Sequence, residues 1–175
     1  MPEDLRYPIG KFQFDPKATP ALRRDCIAQI REAPAAMRAA VRGLSAAQLD
    51  TPYRPDGWTV RQLVHHVPDS HLNAYCRFKL ALTEDNPQIK PYDEAAWATL
   101  EDTRRTPVET SLALLDSLHQ RWVALLESMA DQDFSRRLRH PEAGEMPVDR
   151  LLQLYAWHGR HHVAHITSLR QREGW

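Results

Sequence analysis

The stretch Val148–Arg172, "VDRLLQLYAWHGRHHVAHITSLRQR", decides how the rest of the chain is read. Val148, Leu152, Tyr155, Ile166 and Leu169 recur at helical intervals and define one apolar stripe. Gly174 follows where a helix-ending glycine belongs. The spacing predicts an amphipathic helix over about 148–172. It carries His158, His161, His162 and His165, four of the chain's nine histidines within eight residues. Each residue advances about 100° around a helix. With position 162 at zero, His158 lies near about −40°, His165 near about −60° and His161 near about −100°. All four therefore sit on or beside the inward sector. Two i, i+4 pairs result, His158 with His162 and His161 with His165. Either can clasp a metal ion, because such side chains meet on one face. The helical zinc motif shares this spacing but has a glutamate after its first histidine, which is missing here. Spacing alone does not choose between the pairs.

Helical periodicity also dominates upstream, and strands find little support. A first helix is expected from about Pro20 to Val41, with Thr19 and Pro20 as N-cap and first-turn pair. Ser45 can start a short turn before the loop "TPYRPDGW". Thr59 and Gln62 form a capping box that opens a second helix to about Leu82. Residues 84–106 make a long connection, with a short helix expected from about Asp93 to Glu101. Thr106-Pro107 with Glu109 repeats the cap pattern and starts a third helix, whose stripe includes Leu112, Leu115, Leu118 and Trp122. The fold class expected is all-α, a four-helix bundle with a long crossover connection between helices 2 and 3. Residues 1–175 are read as a single domain. Residues 1–18, with Tyr7, Phe12 and Phe14, form an N-terminal arm packed on the bundle or on a partner subunit.

Two inward histidines are too few for a firm metal site, so a third should come from a facing helix. "GWTVRQLVHHVPDSH", residues 57–71, supplies His65, His66 and His71. His66 projects from the edge of the Leu63 stripe. His65 points away, toward solvent, and His71 lies inward one turn further along. Pro68 falls inside this helix, where it removes a backbone N–H and crowds the carbonyl of Val64, so a kink or local loosening is expected. Burying several imidazoles together without a metal or a partner costs several kcal/mol of desolvation.

Composition sets the remaining bounds. Lys plus Arg and Asp plus Glu both number 23, a balance that gives no global pull toward nucleic acid or an anionic membrane. Cys26 and Cys76 form no CxxC unit and are read as helix-packing residues. No stretch approaches the ~20 apolar residues of a membrane span, and no apolar leader opens the chain. A cytoplasmic location is expected.

"YPIGKF" at Tyr7–Phe12, the whole of Gly57–Ala98 and "WHGRHHVAHITSL" at Trp157–Leu169 resemble the DinB-like superfamily of metal-binding four-helix bundles. Within it they resemble the YfiT-like metal-dependent hydrolases. The resemblance implies one divalent metal per chain, Zn2+ or Ni2+. It maps the ligands to His66, His161 and His165, and leaves His158 and His162 as supporting or core residues. It also implies a small-molecule substrate and a homodimer.

Three neutral imidazoles leave a coordination position open for water or substrate, the catalytic arrangement of zinc. The first expectation is a hydrolase using a metal-activated water. The second is a thiol S-transferase, in which the metal holds a low-molecular-weight thiol as its thiolate. The third is a non-catalytic metal-binding stress-response module. Asp69 and Asn73, beyond His66, and Arg160, beside His161, are the candidates for orienting a ligand or holding substrate.

Overall fold

The computed structural model describes residues 4–175. Four long helices dominate: α1 (Pro20–Val41), α3 (Val60–Thr83), α6 (Val108–Ser128) and α7 (Val148–Glu173). Three short ones, α2 (Ala46–Leu49), α4 (Glu94–Trp97) and α5 (Glu101–Arg105), lie in the connections. The caps explain the boundaries. Thr19 Oγ1 accepts the Leu22 N–H at the start of α1. Ser45 with Gln48 boxes α2, and Thr59 with Gln62 boxes α3. Gly174 ends α7 at φ 71°, a left-handed conformation that glycine adopts freely. Thr106 does not cap α6. Its N–H closes α5 onto the Asp102 carbonyl, and α6 begins after Pro107 without a side-chain cap.

α1 packs on α7 and α6, and α3 packs on α6 and α7. His65 of α3 meets Ser111 of α6, and His71 meets His119 further along both helices. These neighbours therefore run parallel. The connection between them must travel back the length of the bundle, which is the expected crossover. It is held on the way by Asp93, which caps α4, and by Gln62 Nε2 donating to the Ala98 carbonyl (2.9 Å).

A small hairpin departs from the all-helical expectation. β1 (Arg137–His140) pairs antiparallel with β2 (Gly144–Pro147), and only Leu138 and Met146 turn inward. Cys76 also departs from expectation: it is exposed, while Cys26 is buried.

The core has two apolar clusters. One gathers Ile30, Phe78, Trp122, Leu126, Leu138 and Leu152 near one end of the bundle. The other gathers Met37, Val60, Leu63, Leu112, Leu115 and Ile166 near the other end. Full burial of each such side chain is worth about 1.5–3 kcal/mol. Between the clusters lies a layer of imidazoles from α3, α6 and α7. Gly159 lets α7 come close at this level: a Cβ on it would stand 3.1 Å from the Ala33 Cβ and 3.5 Å from the His71 ring.

Candidate metal centre

His66 comes from α3, and His158, His161, His162 and His165 come from α7. Pro68 lies within an α3 that remains helical from Val60 to Thr83, and His66 and His71 on either side of it both face the interior. The ring nitrogens of His66, His158 and His162 lie within 4.8 Å of one another. Nε2 of His158 stands 3.4 Å from Nε2 of His66 and 3.2 Å from Nε2 of His162. A tetrahedral ion with nitrogen ligands at about 2.0–2.1 Å requires N···N edges of about 3.3–3.4 Å. The two edges that meet at His158 fit that requirement.

The pair that the resemblance implied, His161 and His165, is not the pair brought to His66. Both face the N-terminal arm. The His161 ring stacks between Trp157 (centroids 4.2 Å apart) and Tyr7 (5.8 Å). His165 stacks on Tyr53 at 4.0 Å, and its Nε2–H donates to the Arg6 carbonyl (3.1 Å). That proton takes Nε2 of His165 out of use as a ligand and leaves its lone pair on Nδ1, which is buried without a partner. A rotation of some tens of degrees around α7 thus separates the converging pair from the stacked pair.

Burial keeps these rings neutral, the form a metal requires. Desolvation pushes His66, His161 and His165 down to about 4. His158 and His162 are held well below the ordinary imidazole range, first by burial and then by the neighbouring imidazoles. A layer of inward rings continues beneath them. His158 Nδ1 lies 3.1 Å from His71 Nε2, His71 Nδ1 lies 2.7 Å from His119 Nε2, and His119 Nδ1 lies 2.6 Å from the Ile30 carbonyl.

Above the three converging nitrogens opens a cavity of about 350 Å³. Its mouth is built by the arm, by the loop before α3 and by α4, which supply Arg6, Tyr7, Tyr53, Arg54, Trp58 and Glu94. The loop is shaped by a turn closed by Gly57 N–H on the Arg54 carbonyl, and by Tyr53 N–H on the Trp58 carbonyl. Trp58 sets its ring edge-on to His66 at 4.7 Å. The arm is tied down by Trp157 Nε1–H to the Gly10 carbonyl and by the Asp15–Gln153 pair of bonds. Its aromatic rings pack on α7 of the same chain.

The other candidates lie elsewhere. Asp69, one turn past His66, faces the crossover, where burial and the Asp102 carboxylate raise its pKa to about 6. Asn73 donates to the Asp69 main-chain carbonyl. Arg160 is exposed and bonds back to the Ala156 carbonyl, in a separate groove between α1 and α7. His65 is buried rather than solvent-facing. The crossover and α6 cover the outer face of α3, and His65 Nδ1 meets Ser111 Oγ at 2.7 Å. Sequence reasoning missed Arg6, Arg54 and Glu94. Each comes from an irregular or very short segment that carries no periodic signal.

The DinB superfamily model matches residues 29–166. A Bacillus mycoides protein named "Putative metal-dependent hydrolase" is 54% identical, with 99% of each chain covered. One of the same name from Bacillus cereus is 55% identical over 98% of this chain and 99% of its own. YfiT from Bacillus subtilis, described as a probable metal-dependent hydrolase with an unusual four-helix bundle topology, superposes with a TM-score of 0.95. It is 48% identical, with 98% of both chains covered. With the family pattern running through α1, α3, α6 and α7, the chain belongs to the DinB superfamily and is YfiT-like within it.

Proposed function

We propose that the protein is a metal-dependent hydrolase that holds one divalent ion, Zn2+ or Ni2+, on His66, His158 and His162. The substrate is a small molecule admitted through the cavity mouth. The observation that carries this reading is the convergence of His66, His158 and His162 on the floor of that cavity, with His158 Nε2 at 3.4 Å and 3.2 Å from the Nε2 atoms of the other two. The ion would supply Lewis acidity and lower the pKa of a coordinated water toward ~7. The chain supplies the rest. Its ligand nitrogens are all neutral, so no carboxylate dilutes the charge of the cation. Arg6 and Arg54 line the mouth and give it a positive character suited to a substrate carrying a carboxylate or phosphate. Glu94 lines the same mouth, and burial raises its pKa, which suits a proton acceptor for an attacking water. Trp58, Trp157 and Tyr7 wall the cavity and restrict water.

Metal analysis of protein purified without added metal should find about one equivalent per chain. His158→Ala or His162→Ala should abolish it, and full occupancy in both variants would refute the site. The neutral ligand set equally favours holding a thiol as thiolate, which keeps the S-transferase reading alive. Ester and amide panels, run with and without low-molecular-weight thiols, separate the two. Turnover that requires a thiol and releases no hydrolysis product would replace the hydrolase reading.

A further inference from the structure

Pro34 stands four residues after Ile30 within α1. In an α-helix the N–H of residue 34 would bond the carbonyl of residue 30, but proline has no N–H. The Ile30 carbonyl is thereby released from its own helix, in a residue with no exposed surface. A buried carbonyl needs another donor. His119 Nδ1, at 2.6 Å, provides one.

A carbonyl only accepts, so His119 Nδ1 carries the proton. A neutral imidazole has one donor and one acceptor nitrogen, so His119 Nε2 is bare. Burial, which holds His119 down to about 4, keeps the ring neutral. Bare His119 Nε2 must then accept from His71 Nδ1 across 2.7 Å, which leaves His71 Nε2 bare. His71 Nε2 in turn accepts from His158 Nδ1 across 3.1 Å. The reverse order would set an imidazole lone pair against the lone pairs of the carbonyl. Each choice of tautomer follows from the one before it, and the first is set by the Ile30 carbonyl, which Pro34 leaves without its helical donor.

We propose that the Ile30 carbonyl, His119 and His71 form a one-way hydrogen-bond relay that locks His158 as its Nδ1–H tautomer and turns its Nε2 lone pair toward His66 and His162. His71 and His119 are therefore positioning residues for the metal centre, and this role rests on the metal reading above. The relay crosses the bundle from α7 through α3 and α6 to α1. It ends on a neutral carbonyl, not a carboxylate. It orients the ligand without adding negative charge, so a bound cation keeps its acidity. It carries no proton to solvent, because its far end has none to give or pass on. As a cation draws density from His158, each N–H along the chain becomes a better donor and the bonds reinforce one another.

The test begins on the metal-free full-length protein. Long-range ¹⁵N–¹H spectra of histidine-labelled protein should show His158, His71 and His119 all as neutral Nδ1–H rings. Pro34→Ala adds a helical donor to a carbonyl that has two lone pairs and still only accepts, so His119 should stay an Nδ1–H ring there. Zn2+ titration of His71→Phe should show affinity reduced about 10–100-fold, the usual effect of losing such a support. His71→Gln, whose amide oxygen can still accept from His158, should recover much of that loss. A purely structural His71 would tolerate phenylalanine without loss of affinity. A His158 that is Nε2–H or averaged in the wild type, or unchanged affinity in His71→Phe, overturns the relay. Failure of the wild type to take up Zn2+ would count against the metal reading alone, since the tautomer spectra still decide the relay.

Discussion

Acidification should unfold this protein through its interior, and His119 gives the size of the effect. Its ring is 2% exposed and bonded to a main-chain carbonyl, and burial lowers its pKa from 6.5 to about 4. The unfolded chain binds a proton there below about pH 6.5, whereas the folded chain does so only near 4. Stability is therefore complete above about 6.5 and falls as pH drops through that window. A shift of about 2.5 units at about 1.36 kcal/mol per unit gives a full loss of roughly 3 kcal/mol. Of that, about 2.5 kcal/mol should appear between pH 7.5 and 4.5. His119→Leu alone would leave the Ile30 carbonyl without its donor, so the informative variant is His119→Leu with Pro34→Ala, which returns a helical N–H. Urea unfolding of the metal-free proteins at pH 7.5, 5.5 and 4.5 measures the difference. The double variant should lose about 2.5 kcal/mol less than wild type over that range. Identical pH slopes in the two proteins would show that His119 is not held neutral in the folded state.

His161→Ala and His165→Ala should retain about one equivalent of metal by elemental analysis, in contrast to the alanine variants of His158 and His162. Loss of metal in the first two alone would reinstate the pair that the family resemblance implied. Asp69→Asn should stabilise the protein at pH 7.5 by about 1–2 kcal/mol in urea unfolding, with the gain vanishing below about pH 4. The carboxyl, raised to about 6, contributes fully below its unfolded value and loses that contribution as pH rises through 6, and partial exposure trims the full shift. Gly159→Ala gains about 1 kcal/mol of helix propensity but forces a methyl to 3.1 Å from Ala33, where overpacking costs about 1–3 kcal/mol. The net expectation is a lower melting temperature, and a rise would mean that α1 and α7 yield easily. Glu94→Gln should slow turnover of any substrate found while leaving Zn2+ affinity intact, as calorimetry would show.

The bundle was legible because its signals are local. Thr19, Thr59 with Gln62, and Gly174 mark helix ends within one turn, and the apolar stripes of α1, α3, α6 and α7 repeat often enough to stand out. The hairpin was not, because four-residue strands with one inward side chain each have no period to detect. The histidine cluster was legible as a cluster, but which of its pairs converges on His66 was not. His158 and His161 differ by about 60° on α7, and what separates them is the arm, a segment without periodicity that stacks on one and leaves the other free. His65 misled for a related reason. A helical wheel treats the outer face as water, whereas here α6 and the returning crossover cover it. The relay is a different case. Pro34 four residues after Ile30 is visible in the sequence, but its meaning depends on His119 arriving from a helix about ninety residues away.

The arm also bears on how such a protein can change over evolutionary time. The three converging histidines belong to α3 and α7, whose packing tolerates little alteration. Arg6 and Tyr7 reach the same cavity from a segment fastened by a few bonds, among them the Gly10 carbonyl to Trp157 and Asp15 to Gln153. The histidine cluster and the rim of its cavity thus lie in separately mutable parts. Drift in the arm can reshape the cavity mouth while the bundle that sets the three histidines stays unaltered.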